Sequence, residues 1–377
     1  MDNNKTKSFL TFKSGKFVFS SNYSTDKTNE MLVKTGVLYQ TVAELPILPK
    51  IREKLDKDLI IKSIFSTAAM EGNPLSEQKV GEIVGHPKSI KTQETAEKEI
   101  ANLESAYTLI TALAETSTAV TEDIIKQIHA EVTRSIEHTY NIPGQYRNEK
   151  VYVGDDAHGG VYTPPVINED IKNVMKIFVE WIESPEITQL GPVIKAALAH
   201  YHLGLIHPFS DGNGRTARLL EALILKSAHM KYIPTMLSNY YYQNIDEYYR
   251  VFVSAEKSDT NDITSFIEFV LKGHNTCLMD LKESIVFFIR RLALADYYRY
   301  SRKEKTITQR QYELMELLLN NSVAFTLSDL LTVSPFSLLY KGSSERTARR
   351  DLIKLTSLEM LLRESDGRYR LNIHRLD

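Results

Sequence analysis

The chain holds a single cysteine, Cys277, in 377 residues. One thiol excludes an intramolecular disulfide and any zinc site built on cysteine pairs, and it fits a reducing compartment. Cys277 itself reads as a small buried apolar residue. No apolar run reaches the roughly 18 residues of a membrane-spanning helix. The opening stretch MDNNKTKSFL lacks the apolar core of a secretory leader, so the cytoplasm is the expected location. Neither sign of charge dominates. At a net charge of −2 the whole chain has no reason to seek nucleic acid or an acidic membrane, although a local basic patch stays open. What remains is ordinary for globular domains: 42% hydrophobic and 25% charged residues, over a length that allows two or three domains.

The most informative stretch is His207-Pro208-Phe209-Ser210-Asp211-Gly212-Asn213-Gly214-Arg215-Thr216-Ala217-Arg218. Gly212, Asn213 and Gly214 tolerate φ > 0, and consecutive N–H groups in such a turn form an anion nest. The apolar spacing of Ala217, Leu219, Leu220, Leu223, Ile224 and Leu225 predicts a helix starting there, so the nest sits at a helix N-terminus, where phosphate is favoured. Arg215 and Arg218 are three apart, both able to lean over the first turn and grip phosphate. Asp211 is a hard oxygen ligand fit for Mg²⁺ shared with phosphates. His207 can accept a proton near neutral pH. No lysine follows the glycines, so this is not a P-loop.

This stretch resembles the signature of the Fic family, His-Pro-Phe-x-Asp-Gly-Asn-Gly-Arg-x-x-Arg, with every fixed position filled. The resemblance implies transfer of a nucleotide monophosphate, AMP from ATP in the usual case, onto a protein hydroxyl. Upstream, a helix is expected from about Lys50 to Met70, ended by Gly72 and Pro74. Glu71 at its end has the wrong sign for the helix dipole. Thr67-x-x-x-Glu71-Gly72 resembles the family's inhibitory motif, which implies that Glu71 pairs with Arg218 and keeps the γ-phosphate from its productive place. Pro143-Gly144-Gln145-Tyr146-Arg147 and Pro164-Pro165 resemble the lead-in and exit of the family's flap. Between them, strands are expected over 150–153 and 161–163. Such a hairpin pairs with an extended target segment by strand addition, which makes Val151, Tyr152 and Val153 the docking residues. Asp155, Asp156 and His158 look like metal ligands, but a solvated turn is the better reading. His129 and His200 read as structural. Of the tyrosine-rich segment 240–249, Tyr249 is taken to line the nucleoside pocket, as the resemblance implies.

Elsewhere a hairpin is expected over 8–20, with Leu10 and Phe12 sharing a strand face, and separate helices over 262–273 and 277–300. After the charged linker 301–305, three helices and an Asp366-Gly367 hairpin resemble a winged helix-turn-helix, with Arg346, Arg349, Arg350 and Lys354 on the third helix and Arg368 and Arg370 on the wing. The expected fold is all-α, mainly helical with a small β-hairpin flap and a C-terminal winged helix. Its domains are an N-terminal region with the inhibitory helix (1–94), a catalytic core (95–275), a connecting helix and linker (276–305) and the winged helix (306–377).

The resemblance implies a protein adenylyltransferase that uses ATP with Mg²⁺. His207 is the base and Asp211 the metal ligand. Gly212, Asn213, Gly214, Arg215 and Arg218 hold phosphates, and Glu71 inhibits. The partner is a protein bearing a Ser, Thr or Tyr hydroxyl, the chain itself included. A second copy of the chain, and DNA through the C-terminal domain, are further partners left open; no membrane is expected. Two alternatives stand beside this. One is transfer of UMP, phosphate or phosphocholine from the same site. The other is a DNA-binding regulator whose Fic domain is a sensor or toxin-like module.

Overall fold

A computed structural model describes residues 5–85, 94–116, 119–321 and 323–377. The chain divides into two compact units, Met1–Glu44 with Leu48–Asp280, and Leu45–Ile47 with Leu281–Asp377. The first unit opens with an antiparallel hairpin, β1 (Thr6–Leu10) and β2 (Lys16–Ser20). Helices α1 (Thr25–Glu44), α2 (Pro49–Ala69), α3 (Glu77–Ile83), α4 (Thr95–Thr116) and α5 (Glu122–Val132) follow. A second hairpin, β3 (Val153–Asp155) and β4 (Gly160–Tyr162), interrupts the helices. Then come α6 (Asn168–Ile182), α7 (Pro185–Thr188), α8 (Pro192–Ile206), α9 (Asn213–Ser227), α10 (Leu237–Gln243) and α11 (Ile245–Glu256). Helix α12 (Thr264–Lys303) contributes residues to both units.

Helix α8 is buried on all sides, as a helix apolar all round must be, and packs along α9 at the centre of the unit. A core of Ile64 and Ala68 from α2, Leu103 from α4, Ile128 from α5 and Leu219 and Leu223 from α9 brings the end of α2 against the start of α9. That packing, between elements some 150 positions apart, is what puts Glu71 beside the glycine-rich loop. Cys277 lies buried on α12, and burial pushes its thiol up to about 12, so it is an inert apolar filler.

Two sequence expectations need correcting here. Phe12 does not sit in a strand with Leu10. It lies in the turn, because Asp170 of α6 gathers the N–H groups of Phe12, Lys13 and Ser14 and the Ser14 hydroxyl, which leaves both apolar side chains in solvent. The helices expected over 262–273 and 277–300 are one helix of 40 residues. Gly273 inside it is not a breaker. It makes room for Tyr240, whose ring would meet an added Cβ at 2.7 Å.

In the second unit α13 (Gln309–Asn320), α14 (Leu327–Thr332), the short α15 (Phe336–Leu339) and α16 (Glu345–Ser357) precede the antiparallel pair β5 (Leu361–Arg363) and β6 (Tyr369–Leu371). Thr308 and Thr326 close capping boxes on α13 and α14. The core gathers Leu314, Leu318, Phe325, Leu352, Leu355 and Leu371. Asp351 of α16 is buried, and its carboxylate accepts from Arg310, Gln311 and Tyr340, which fixes how α16 turns on α13 and α15. The outward face of α16 then presents Arg346, Arg349, Arg350, Ile353 and Lys354. Among the described residues no helix is long and apolar enough to cross a membrane.

Candidate active site

Helix α8 ends at His207, which caps it in the left-handed conformation (φ 47°) with its N–H on the Leu203 carbonyl at 3.0 Å. A non-glycine residue in that region costs on the order of 1–2 kcal/mol and persists only where its surroundings enforce it. The His207 Nδ1 lies 3.4 Å from the Gly204 carbonyl. A carbonyl only accepts, so this contact puts the hydrogen on Nδ1 and leaves the Nε2 lone pair available. Burial, then the Arg147 charge, push the imidazole down to about 4, so it is neutral at physiological pH.

The loop that follows is closed by Asn213. Its Oδ1 accepts from Phe209 N–H at 2.9 Å, and its Nδ2 donates to the Phe209 carbonyl at 2.8 Å. Below it His129 lies flat on the Phe209 ring, centroids 3.6 Å apart. His129 donates from Nε2 to the Asp211 carbonyl (3.0 Å) and accepts the Gly144 N–H at Nδ1 (2.9 Å). Burial pushes it down to about 4, so this histidine is a neutral brace for the loop. Gly212 needs to be glycine twice over: its φ is +75°, and a Cβ there would sit 2.9 Å from the Thr133 methyl. Helix α9 begins at Asn213, which points its first N–H groups at the space in front of the loop.

The two arginines do not share a direction. Arg215 Nη2 pairs with Asp211 at 2.9 Å and Nη1 lies 3.4 Å from Glu99 of α4. Arg218 Nη2 pairs with Glu71 at 2.6 Å and donates to the Thr67 carbonyl at 3.3 Å. Burial works against the Arg218 charge, but Glu71 more than restores it and holds the guanidinium above its ordinary range. The Nε atoms of both arginines are buried without a partner. A Cβ at Gly214 would overlap Glu71 Oε1. So the carboxylate that ends α2 with the wrong sign for that helix lies over the first turn of α9, where an anion is favoured. One cavity of about 200 Å³ unites Glu71, His207, Gly214, Arg218, Tyr249 and Val153. Asp211 and Arg215 are not among the residues lining it, and neither are Val151 and Tyr152.

The hairpin beside the cavity is shorter than expected and shifted. Val151 and Tyr152 precede the pairing, and only Val153 belongs to it, opposite Tyr162. The reason is the turn. The Asp155 carboxylate accepts from His158 N–H and the His158 ring, and Gly159 and Gly160 take positive φ, so the ladder forms against the turn and leaves Val151 and Tyr152 outside it. His158 also reaches Asp246 (3.3 Å) and leans on the Tyr249 ring, centroids 5.2 Å apart. Asp155 and His158 thus form, with Asp246, a clasp from the hairpin to α11. His200 is buried between Glu221 (2.9 Å) and Tyr248 (3.0 Å), a support for the cavity wall.

Arg147, Glu99 and Glu221 are parts of this site that the sequence does not single out. Of these, Arg147 alone carries a signal in the sequence, as the last residue of the motif before the flap.

Residues 119–225 match the Fic/DOC family. The chain is 30% identical over 246 residues to a Nematostella vectensis protein named protein adenylyltransferase Fic, covering 64% of this chain and 53% of that protein. It is 30% identical over 212 residues to Caenorhabditis elegans protein adenylyltransferase fic-1, covering 55% of this chain and 38% of that one. The chain thus spans about half the length, or less, of these relatives. Among solved structures, a Fic family protein of Desulfovibrio desulfuricans superposes with a TM-score of 0.55 at 21% identity, covering 91% of this chain and 95% of the other. C. elegans Fic-1 superposes with a TM-score of 0.55 at 25% identity, over 68% and 72%.

Proposed function

We propose that this chain, which carries a Fic domain, is a protein adenylyltransferase that moves AMP from ATP to a protein hydroxyl and is held off by Glu71. The single observation that carries the reading is the Glu71 carboxylate on Arg218 over Gly214. A built anion site is filled by the chain's own carboxylate, in one cavity with a neutral histidine. A nucleotide that enters meets that carboxylate as a competitor for Arg218. When Glu71 swings away, the first turn of α9 and Arg218 receive phosphate, and Tyr249 flanks the nucleoside. Val153 and the residues before it lie along the path of an acceptor segment paired to the hairpin, so the docking expected of Val151 and Tyr152 is kept as part of this reading.

His207 Nε2 takes the proton of the attacking hydroxyl. The new bond joins that oxygen to the α-phosphorus, the bond to the bridging oxygen breaks, and pyrophosphate leaves with the electron pair. Base assistance contributes about 10²–10⁴ in rate. Asp211 is the residue that would hold Mg²⁺. Burial raises its carboxyl, but Arg215 and the Gly212 N–H outweigh this and keep it ionised. One ionised carboxylate beside a phosphate site fits a metal that takes few protein ligands. The ion supplies charge neutralisation of the phosphates when bound.

The test is mass spectrometry after incubation with ATP and Mg²⁺. It compares the wild type, Glu71→Gly, and Glu71→Gly with His207→Ala, alone and with proteins from a lysate. An AMP-mass adduct that is strongest with Glu71→Gly and lost on adding His207→Ala is expected. Label from UTP, or phosphocholine from CDP-choline, in place of AMP would replace the donor. No adduct from any of them would sink the reading.

A second reading has its own support in the outward basic face of α16. On this reading Arg346 and Arg350, both exposed, would face phosphate or base edges of a DNA duplex and make the second unit the addressing module. Binding of labelled duplex that falls steeply with salt is the expected outcome, and no binding at low salt removes it.

A further inference from the structure

Arg147 is 2% exposed, and among the described residues no carboxylate forms an ion pair with it. Its guanidinium spends all its nitrogens on main-chain carbonyls. Nε donates to His207 O at 2.8 Å, Nη1 to Glu149 O at 2.7 Å and Nη2 to Pro165 O at 2.7 Å. Its own N–H donates to Pro208 O at 3.0 Å. Glu149 and Pro165 are the two feet of the hairpin beside the cavity, while His207 and Pro208 open the glycine-rich loop. A buried cation is costly, and this one is tolerated because three charge-assisted bonds satisfy it and the nearby Glu149 carboxylate favours its charge. Only the planar guanidinium fork reaches three carbonyls in fixed directions at once; an ammonium does not.

We propose that Arg147 is the positioning residue of this site, one side chain that locks the left-handed backbone of His207 and both feet of the flap into a single unit. His207 is held on the other side by its own N–H on Leu203 O, so its strained φ of 47° is clamped from both ends. The base and the hairpin that presents the acceptor hydroxyl thereby keep one registry, and a displacement of about 1 Å there costs on the order of 10²-fold in rate. Arg147 also bears on the charge state of the base. The charged groups that act on His207 are Arg147, which opposes its protonation, and Glu71 and Asp211, which favour it. The catalytic consequence rests on the adenylyl-transfer reading; the placement of Arg147 does not.

The experiment uses the full chain with Glu71→Gly, and adds Arg147→Lys or Arg147→Gln. Three things are measured: transfer kinetics, the titration of His207 by NMR of histidine-labelled protein, and amide exchange along the chain. We expect Arg147→Lys to lower kcat about ten- to a hundred-fold, with the KM for ATP little changed because Arg147 does not line the nucleotide cavity. Exchange should rise at 149–165 and at 207–209 and stay low in the α4 and α6 cores. His207 should titrate higher in Arg147→Gln than in the parent. Unchanged kinetics and exchange with Arg147→Lys would overturn the proposal, and so would exchange raised uniformly over the whole unit, since that marks a general packing role. Should the parent transfer nothing, the adenylyl reading fails alone, and exchange with the His207 titration still decide the role of Arg147.

Discussion

Arg215 and Arg218 at the start of α9 are each 3% exposed, and each is bonded to a carboxylate of its own; Arg346, Arg350 and Lys354 on α16 stand in solvent. The first arrangement is selective. A buried guanidinium takes a ligand only by exchanging one anion for another, so the resident carboxylate sets a threshold. The second is permissive. Exposed cations attract any polyanion over roughly 8–10 Å and lose that pull as salt rises. On the proposed readings, one chain carries a gated anion site in one unit and an ungated one in the other, and each makes predictions the other does not.

The largest effect expected is from His207→Ala on the Glu71→Gly background. Transfer falls by about 10²–10⁴, read as adduct formation over time, while ATP binding stays within a few-fold. A residual rate above a tenth of the parent's would mean that His207 is not the base. Next is the resident anion. Glu71→Gln keeps the shape and removes the charge, and a charged hydrogen bond is worth about 1.5–3 kcal/mol, so productive turnover should rise ten- to a hundred-fold. Calorimetry should show tighter ATP binding in parallel. Equal activity of Glu71→Gln and wild type would dissolve the contrast between gated and ungated sites.

Acid should separate the first unit's core from ordinary surfaces. His129, His202 and His274 are buried, and burial pushes each down to about 4, against an ordinary value of about 6.5 in the unfolded chain. Between those values the unfolded chain binds more protons than the folded one, so stability is lost as pH falls from about 6.5 towards 4. Denaturant midpoints that stay level over that window would show the three imidazoles to be charged in the fold. The smallest effect belongs to α16. Arg350→Ala should reduce the salt slope of duplex binding by about one and leave AMP transfer untouched.

The contrast also shows how far the sequence could be read. The stretch 207–218 announces its chemistry because its residue types are dictated locally. Gly212 requires φ > 0, Asn213 closes its own loop, and a helix N-terminus follows from the apolar spacing. The pairing of Arg218 with Glu71 was legible only through resemblance. Its physical cause, the packing of α2 against α4 and α9, joins elements far apart in the chain. The bond of Arg215 to Asp211 is an i,i+4 pair that spacing allows, whereas its reach to Glu99 leaves no trace there, because spacing fixes a helix face and not a partner on another helix. The flap strands expected over 150–153 and 161–163 pair over 153–155 and 160–162, closer to the turn, since β-branched residues mark where strands are tolerated while the Asp155–His158 turn decides where they pair.

By itself the sequence determined which groups stand where: a histidine ending one helix, a glycine-rich loop opening the next, a carboxylate at the end of a third, and a basic helix near the C-terminus. These are properties of residue type and of spacing within a turn or two, where backbone geometry leaves little choice. Only the tertiary structure decided which group meets which. Arg147 became the tie between His207 and the flap, and Glu71 the anion over Gly214, because those meetings depend on burying apolar faces that no local pattern pairs.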